Sequence, residues 1–333
     1  IGGEIIHVGP SAQGFAFPAP TGIVDLSLRK PGSKLTISPF FQTDSFGTAS
    51  IEMDASIPLS GKDLGVQAGV GVSHNHFANG GHNHGLSVGA VPHWQVASGV
   101  ELTAFANYQR FSDETPGPIF ITNGSFQPPH LPRAKYLGPD WALATQSSTT
   151  FGLVGKAETG NWILRTGVFH SQFHQERGYS NLVFINPDNS SDRQIVAYPT
   201  NGAGSWSGEG RLSRIFREGE REHMLTAALR GRSIFARYGG GDAVNLPTSP
   251  LGTRLVTPEP SFAFGPVTKD HTDQTTFGLS YSLAWRGLGA FTAGLQRTHY
   301  IKRVEQPGLP VARGTSTATL PSLSATVPVS DKL

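Results

Sequence analysis

Four histidines form two His-x-His pairs in the stretch SHNHFANGGHNHG, residues 73–85. Alternate residues of a strand share one face, so a regular hairpin through the spacer FANGG sets His74 opposite His84 and His76 opposite His82. Cross-strand Cβ atoms about 5 Å apart would present four imidazoles to one Zn²⁺, Cu²⁺ or Ni²⁺ ion. The stretch therefore raises two hypotheses, a metal site or a solvated hairpin tip.

The flanking residues favour the solvated tip. Extending the alternation of residues 64–72 places the four histidines on the same face as the valines of that segment. Carboxylates normally orient metal-binding imidazoles, and no Asp or Glu occurs between Asp63 and Glu101. We therefore expect weak metal binding at this hairpin.

Catalytic chemistry is not indicated. The sequence has no Gly-x-Ser-x-Gly elbow, no phosphate-binding Gly-Lys-Ser/Thr loop and no His-Glu-x-x-His pair. The absence of cysteine excludes thiol catalysis, thiolate zinc sites and disulfides. Glu52 and Asp54 share one strand face, but a polar interior explains them without acid–base work. We expect neither an enzyme nor a cofactor.

The elements that must position these residues are strands. The segments 49–57 and 64–72 alternate strictly, with apolar residues on one face and Glu52, Asp54 and Gln67 on the other. A glycine count of 41 also suits strands and turns better than helices. Twelve such segments follow one another, at 35–43, 49–57, 64–72, 86–96, 100–111, 149–157, 162–173, 205–216, 222–238, 275–285, 288–300 and 316–329.

The connections between these segments alternate between tight turns and long loops. Short turns at one rim and long loops at the other are typical of outer-membrane barrels. Trp94, Trp162 and Trp285 lie beside the short turns on the apolar face, where interfacial aromatic girdles occur. The pattern predicts an all-β, antiparallel transmembrane β-barrel with Ile51, Met53, Val66 and Val70 facing lipid.

Other classes are less compatible with the composition. No apolar run approaches the roughly 18 residues that a membrane helix needs. The formal net charge is +2 and the basic residues are scattered, so nucleic acid is not an expected partner. The chain begins with Ile1 rather than Met, and we expect it to be part of a longer protein.

Residues 1–33 do not follow the strand pattern. Two short apolar strands are interrupted there by turn residues, and the segment contains the motifs Gly9-Pro10-Ser11, Pro20-Thr21-Gly22-Ile23-Val24-Asp25 and Arg29-Lys30-Pro31-Gly32. With these motifs it resembles the end of the plug domain of TonB-dependent outer-membrane receptors. The resemblance predicts a plug remnant at 1–33 and the N-terminal part of a barrel at 34–333, with about twelve of a likely 22 strands present.

The Pro-rich loop at 114–142 resembles a loop of the siderophore-receptor branch of that family, and the final segment resembles a barrel strand that precedes a periplasmic turn. Aromatic faces and cationic donors hold bulky iron chelates, and proline lowers the ordering cost of the loop. The candidate ligand-binding residues are Phe120, Arg133, Lys135, Tyr136 and Trp141.

The resemblance implies an energy-coupled receptor in the bacterial outer membrane that takes up a ferric siderophore or a similar scarce ligand. Its partners would be that ligand, outer-membrane lipid, and the TonB complex through a segment ahead of the present chain. A passive porin-like channel, a receptor for a divalent metal such as zinc, and a soluble extracellular β-protein stay open as alternatives.

Overall fold

The computed structural model describes residues 3–7, 17, 23–61, 63–131 and 135–328. These residues form strands, turns and loops, and none belongs to a helix long and apolar enough to cross a membrane. The strands are β1 Gly3–His7, β2 Ile23–Ser27, β3 Thr36–Thr43, β4 Ala49–Ser60, β5 Leu64–His76, β6 His82–Ala97, β7 Val100–Glu114, β8 Pro118–Thr122, β9 Ala144–Thr159, β10 Trp162–Ile185, β11 Ser190–Tyr198, β12 Asn201–Glu218, β13 Arg221–Tyr238, β14 Asp242–Pro250, β15 Thr268–Trp285, β16 Gly289–Glu305 and β17 Ala312–Thr326.

Twelve of the strands form one antiparallel sheet, which confirms the predicted number. The order is β3-β4-β5-β6-β7-β9-β10-β12-β13-β15-β16-β17. Each strand pairs with the one before it in this series, so the sheet is an uninterrupted meander. The sheet is open, with β3 at one edge and β17 at the other.

The register sorts side chains as the alternation predicts. Ile51 pairs with Val72 and Met53 with Val70, whereas Asp54 pairs with Gly69. Directly paired residues of an antiparallel sheet share a face. We call the face that carries Glu52, Asp54 and Gln67 the polar face, and the opposite one the apolar face.

Large hydrophobic side chains of the apolar face are exposed rather than packed against protein. Met53, Val70, Leu229 and Leu279 are between 44% and 59% exposed. An exposed apolar surface of this extent marks contact with a membrane or another protein. The face must therefore meet an apolar medium in the assembled protein.

The tryptophans predicted to mark the short-turn rim lie there. Trp94 pairs with Leu64, and Trp162 and Trp285 begin or end strands at tight turns. The guanidinium of Arg214 lies 5.0 Å from the Trp162 ring centroid, and that of Arg221 lies 4.0 Å from the Trp285 ring centroid. Each pair places a cation and an amphipathic ring together, as at a water–lipid boundary.

The long connections differ from the expectation of extended loops. β10 continues unbroken for 24 residues, well beyond the predicted end at Phe173. Its outer half pairs with β8 and β11, and β11 pairs with β14, which gives a second, four-stranded sheet. We call this second sheet the outer sheet. The sequence pattern missed it because the buried positions of β11 include the polar residues Ser191 and Arg193.

The assignment of faces can be tested with neighbouring single-cysteine variants, since the chain has no native cysteine. We expect a spin label at Val66→Cys, in protein reconstituted into bilayers, to be relaxed mainly by oxygen dissolved in the lipid. A label at Gln67→Cys should be relaxed mainly by a water-soluble nickel complex, because adjacent strand residues point to opposite faces. The reverse pattern would contradict the register.

Candidate functional site

The histidine hairpin has the predicted register. His74 pairs with His84 and His76 with His82 at the end of β5 and β6. The tip is held by hydrogen bonds, since the Phe77 amide donates to the Gly81 carbonyl at 2.9 Å and the Gly80 amide donates to the Phe77 carbonyl at 2.9 Å. The four rings therefore stand on an ordered hairpin.

The imidazoles are close together but do not converge on one point. His74 Nδ1 lies 3.2 Å from His84 Nδ1, and His74 Nε2 lies 2.7 Å from His76 Nε2. Zinc–nitrogen bonds of 2.0–2.1 Å in tetrahedral geometry separate two ligand nitrogens by about 3.3 Å. One ring cannot direct both of its nitrogens at the same ion, so His74 would have to rotate. Within the described ranges, no group of three or more His, Asp or Glu is arranged to hold a metal ion.

The protonation of the hairpin is coupled to its packing. Burial, followed by the charges of neighbouring histidines, lowers the pKa of His74 below its usual value. The same causes lower the pKa of His82, with a small opposing contribution from Asp113. Both groups stay neutral at pH 7. Above pH 6.5 the two histidines contribute fully to the free energy of unfolding. This contribution declines as the pH falls below 6.5, because the two imidazoles bind protons more readily in the unfolded chain than in the folded one.

We expect the intact protein to bind Zn²⁺ no more tightly than micromolar, because His74 must leave two imidazole contacts and no carboxylate supports the ligands. Isothermal titration calorimetry measures the affinity, with the double variant His74→Ala/His84→Ala as control. Submicromolar binding that disappears in the control would show that the hairpin is a metal site.

The Pro-rich loop packs on the outer sheet. Leu137 and Ala142 of the loop are buried, as are Val183, Ile185 and Ile195 of β10 and β11. This is the main buried apolar cluster in the described part of the chain. Its position outside the twelve-stranded sheet shows that the loop and the outer sheet form one packed layer.

Arg193 of β11 holds this layer together from inside. Its side chain is 2% exposed, and its guanidinium donates hydrogen bonds to the carbonyl oxygens of Leu137 and Thr253. Burial lowers the pKa of Arg193, and Nε has no hydrogen-bond partner among the described residues. The buried guanidinium, hydrogen-bonded to both carbonyl oxygens, links the Pro-rich loop to the segment after β14.

The predicted ligand-binding residues occupy different places in this layer. Tyr136 is largely buried, and its hydroxyl donates to the Pro139 carbonyl at 3.4 Å; burial raises the pKa of Tyr136. Lys135 Nζ donates to the Gly252 carbonyl at 3.0 Å. Phe120 lies on β8 opposite Val183 and is 38% exposed. Arg133 lies outside the described residues.

Trp141 belongs to an aromatic cluster that the sequence pattern did not reveal. Its ring centroid lies 5.9 Å from that of Tyr179 and 6.0 Å from that of Phe262. Phe262 also stacks on Phe264 at 6.1 Å. The Trp141 Nε1–H is buried and has no acceptor among the described residues. The alternating phenylalanines of the segment PSFAFGP are the signal that could have suggested this partner.

The hairpin and the Pro-rich loop meet at Gly80. Its φ is +77°, and a Cβ there would lie 2.3 Å from the Tyr136 amide nitrogen. Only glycine permits both the backbone conformation and this close approach. The two features that the sequence singled out are therefore neighbours in the folded chain.

The described part of residues 1–33 lies against the polar face. β1 and β2 form an antiparallel pair of their own, which confirms two short strands. Lys30 Nζ lies 2.7 Å from Glu101 Oε2, and Arg29 Nη1 lies 3.3 Å from Asp54 Oδ2. The Phe17 ring packs on Gly278 of β15. Residues 9–11 and 20–22, on which the plug resemblance partly rests, lie outside the described residues.

A cavity of about 430 Å³ separates β2 from the sheet. It is lined by Asp25 and Leu26 on one side and by residues such as Glu101, Arg165 and Arg211 on the other. β2 is therefore separated from the sheet by a partly open space lined with charged side chains, and it does not pack directly on the sheet.

Arg193 can be tested by replacement with Met, which keeps an unbranched apolar stem but removes the guanidinium and with it both hydrogen bonds. We expect the loop layer to lose about 1–3 kcal/mol of local stability per unpaired carbonyl, while the twelve-stranded sheet is unchanged. Hydrogen exchange should rise in residues 135–142 and 251–254 only. An Arg193→Met variant with unaltered exchange in both segments would contradict the anchoring role.

Comparisons with known proteins define the class of fold. No family model and no curated protein matches the sequence. Solved structures do match, and they show that the chain has the fold of part of an outer-membrane β-barrel. The chain spans about half the length of these structures.

Three of them illustrate the likeness. The ferric preacinetobactin receptor BauA from Acinetobacter baumannii is 16% identical, with a TM-score of 0.73 over 98% of this chain and 50% of that one. The pyoverdine outer membrane receptor FpvA from Pseudomonas aeruginosa PAO1 is 18% identical, with a TM-score of 0.77 over 98% and 49%. The ferric-catecholate import receptor Fiu from E. coli K12 is 13% identical, with a TM-score of 0.75 over 96% and 51%.

Proposed function

We propose that the chain is the end of the plug and the first half of the barrel of a TonB-dependent receptor in the bacterial outer membrane. The receptor takes up a ferric siderophore or a similar scarce ligand. The plug remnant is residues 1–33 and the barrel part is residues 34–333. Outer-membrane lipid covers the apolar face, and the TonB complex acts through a segment ahead of residue 1.

The observation that carries this proposal is the position of residues 23–32 on the polar face. Besides the ion pairs of Arg29 and Lys30, Gln67 Nε2 donates to the Lys30 carbonyl at 3.2 Å, and the Gly32 amide donates to Ser56 Oγ at 2.8 Å. Polar contacts to several strands hold the segment against the polar face. A gate needs such a segment, whereas a passive channel does not.

The alternatives fit these observations less well. A passive channel gives no role to a separate strand pair on the polar face. A soluble β-protein would need the apolar face covered by a second layer, and the described residues leave it exposed. A zinc receptor would need its ligands on the path of the cargo, whereas the four histidines share the apolar face.

The loop layer supplies the chemistry for a bulky chelate. Trp141, Tyr179, Phe262 and Phe264 offer aromatic faces, and the buried Trp141 N–H has no acceptor among the described residues. A buried donor without a partner costs free energy, which a ligand oxygen would recover. Burial, together with the nearby charge of Glu259 and a hydrogen bond to its carboxylate, raises the pKa of Tyr179, so the hydroxyl keeps its proton on that hydrogen bond and the ring contributes its aromatic face. These groups suit an oxygen-rich ferric chelate.

The test is iron uptake by a strain that lacks the gene, grown under iron limitation. We expect the full-length protein to restore accumulation of ⁵⁵Fe from its cognate siderophore, and removal of TonB to abolish it. The Trp141→Ala variant should weaken siderophore binding by about 5- to 30-fold, because an aromatic stacking contact or a hydrogen bond of this kind contributes about 1–2 kcal/mol.

Trp206→Ala is the matched control, since Trp206 is an exposed indole on the apolar face of β12 and lies outside the loop layer. It should bind siderophore like the wild type. Uptake that persists without TonB would favour the passive channel, and equal losses in both variants would remove Trp141 from the binding site.

A further inference from the structure

Four cations project from the apolar face at the long-connection ends of β13, β15, β16 and β17. Arg237, Lys269, Arg303 and Arg313 share this face by register, and we call them the rim patch. Three of them, Arg237, Lys269 and Arg303, line a cavity of about 270 Å³. The rest of its lining is Phe235, Asp270, His271 and Glu305. Neither the polar interior nor the loop layer includes these side chains.

Like charges stand directly opposite each other in the rim patch. Arg237 pairs with Lys269, and Arg303 pairs with Arg313. Directly opposed like charges destabilise a sheet unless an anion lies between them. Glu305 lies 2.6 Å from Arg303 and 3.9 Å from Lys269. Asp270 also lines the cavity, but its carboxylate is paired with Lys302 at 2.9 Å, and Asp273 is paired with His271 at 2.9 Å. Four cations that share the carboxylate of Glu305 leave the patch with net positive charge, which favours binding of additional anions.

The position along the strands identifies where those anions would be. His271, paired with Arg303, lies fourteen residues from Trp285 at the short-turn end of β15. At about 3.3 Å per residue and a tilt of about 40°, this separation is roughly 35 Å along the barrel axis. The apolar belt of such barrels is about 25 Å tall, so the row of Arg303 stands roughly 10 Å beyond it. Long cationic side chains reach lipid headgroups from that level.

We propose that the rim patch binds the phosphate groups of a phosphorylated glycolipid in the outer leaflet. Arg237, Lys269, Arg303 and Arg313 bind the phosphate oxygens, and Phe235, which is 44% exposed between them, contacts the apolar part of the same lipid. This inference rests on the proposed membrane barrel. It adds a lipid-binding site that is separate from ligand uptake.

The other described strands do not carry such a group of cations at their long-connection ends. On β5 and β6 the corresponding positions are the four histidines, of which His74 and His82 have lowered pKa values. On β9 they are Ser147 and Thr149, and on β7 Arg110 is paired with Glu176 at 2.8 Å. The concentration of cations on β13 to β17 is therefore a local feature of the barrel.

The test measures binding of diphosphoryl lipid A to the purified full-length protein by native mass spectrometry. We expect the triple variant Arg237→Gln/Lys269→Gln/Arg303→Gln to lose at least about tenfold in affinity, since each cation near an anionic surface contributes substantially. Lipid A without its phosphates should bind the wild type as weakly as the phosphorylated lipid binds the variant.

The control variant Arg214→Gln/Arg221→Gln/Arg286→Gln removes the same charge at the short-turn rim and should bind like the wild type. Wild-type affinity in the triple variant, or equal binding of dephosphorylated lipid, would overturn the proposal. Complete displacement of the lipid by millimolar inorganic phosphate would do the same, because it would show a site for free anions.

Heat-modifiable migration in SDS gels, scored on the same samples, separates this proposal from the proposed function. A protein that migrates as a folded barrel but shows no preference for phosphate refutes only the lipid site. A protein that never inserts refutes both.

Discussion

Backbone hydrogen bonding between neighbouring strands is the interaction on which the rest of this structure depends. One face of the sheet is apolar and exposed, so the peptide groups behind it need partners within the sheet itself. The meander supplies them because each strand pairs with the preceding strand of the series, and the pairing continues past the few positions where the register shifts. The pleat then separates the side chains, and the same chain can face an apolar medium on one side and water on the other.

The polar face uses this separation to hold residues 29–32 by polar contacts. Its contacts are ion pairs and hydrogen bonds from residues 29–32 to β4, β5 and β7. The pairs are largely exposed, and exposed ion pairs contribute little each. Residues 29–32 are therefore positioned by several contacts, each of which is weak.

The outer sheet, in contrast, is stabilised by buried side chains. Val183, Ile185 and Ile195 are almost fully buried, and Arg193 bridges two loop segments through their carbonyl oxygens. Apolar burial and a buried charge together make this layer the most tightly packed region among the described residues. The aromatic cluster around Trp141 is therefore presented on a rigid support.

How far the sequence predicts this arrangement depends on how each part is stabilised. The faces of β4, β5 and β6 could be predicted, including the pairing of His74 with His84, because their alternation is uninterrupted and a hairpin joins β5 to β6. β11 could not, because Ser191 and Arg193 occupy buried positions and are satisfied by partners far along the chain. Trp141 was predicted as a ligand candidate, but Tyr179 and Phe262 are brought to it only by the folding of β10 and the segment after β14.

β10 is long enough to belong to both the twelve-stranded sheet and the outer sheet. Its first half lies in the twelve-stranded sheet and its second half in the outer sheet, with the register shifting between Gln175 and Arg177. A bulge of this kind bends a strand and increases its local twist. The bulge beside Glu176 therefore sets the direction in which the second half of β10 leaves the twelve-stranded sheet, and with it the orientation of the outer sheet that pairs on that half.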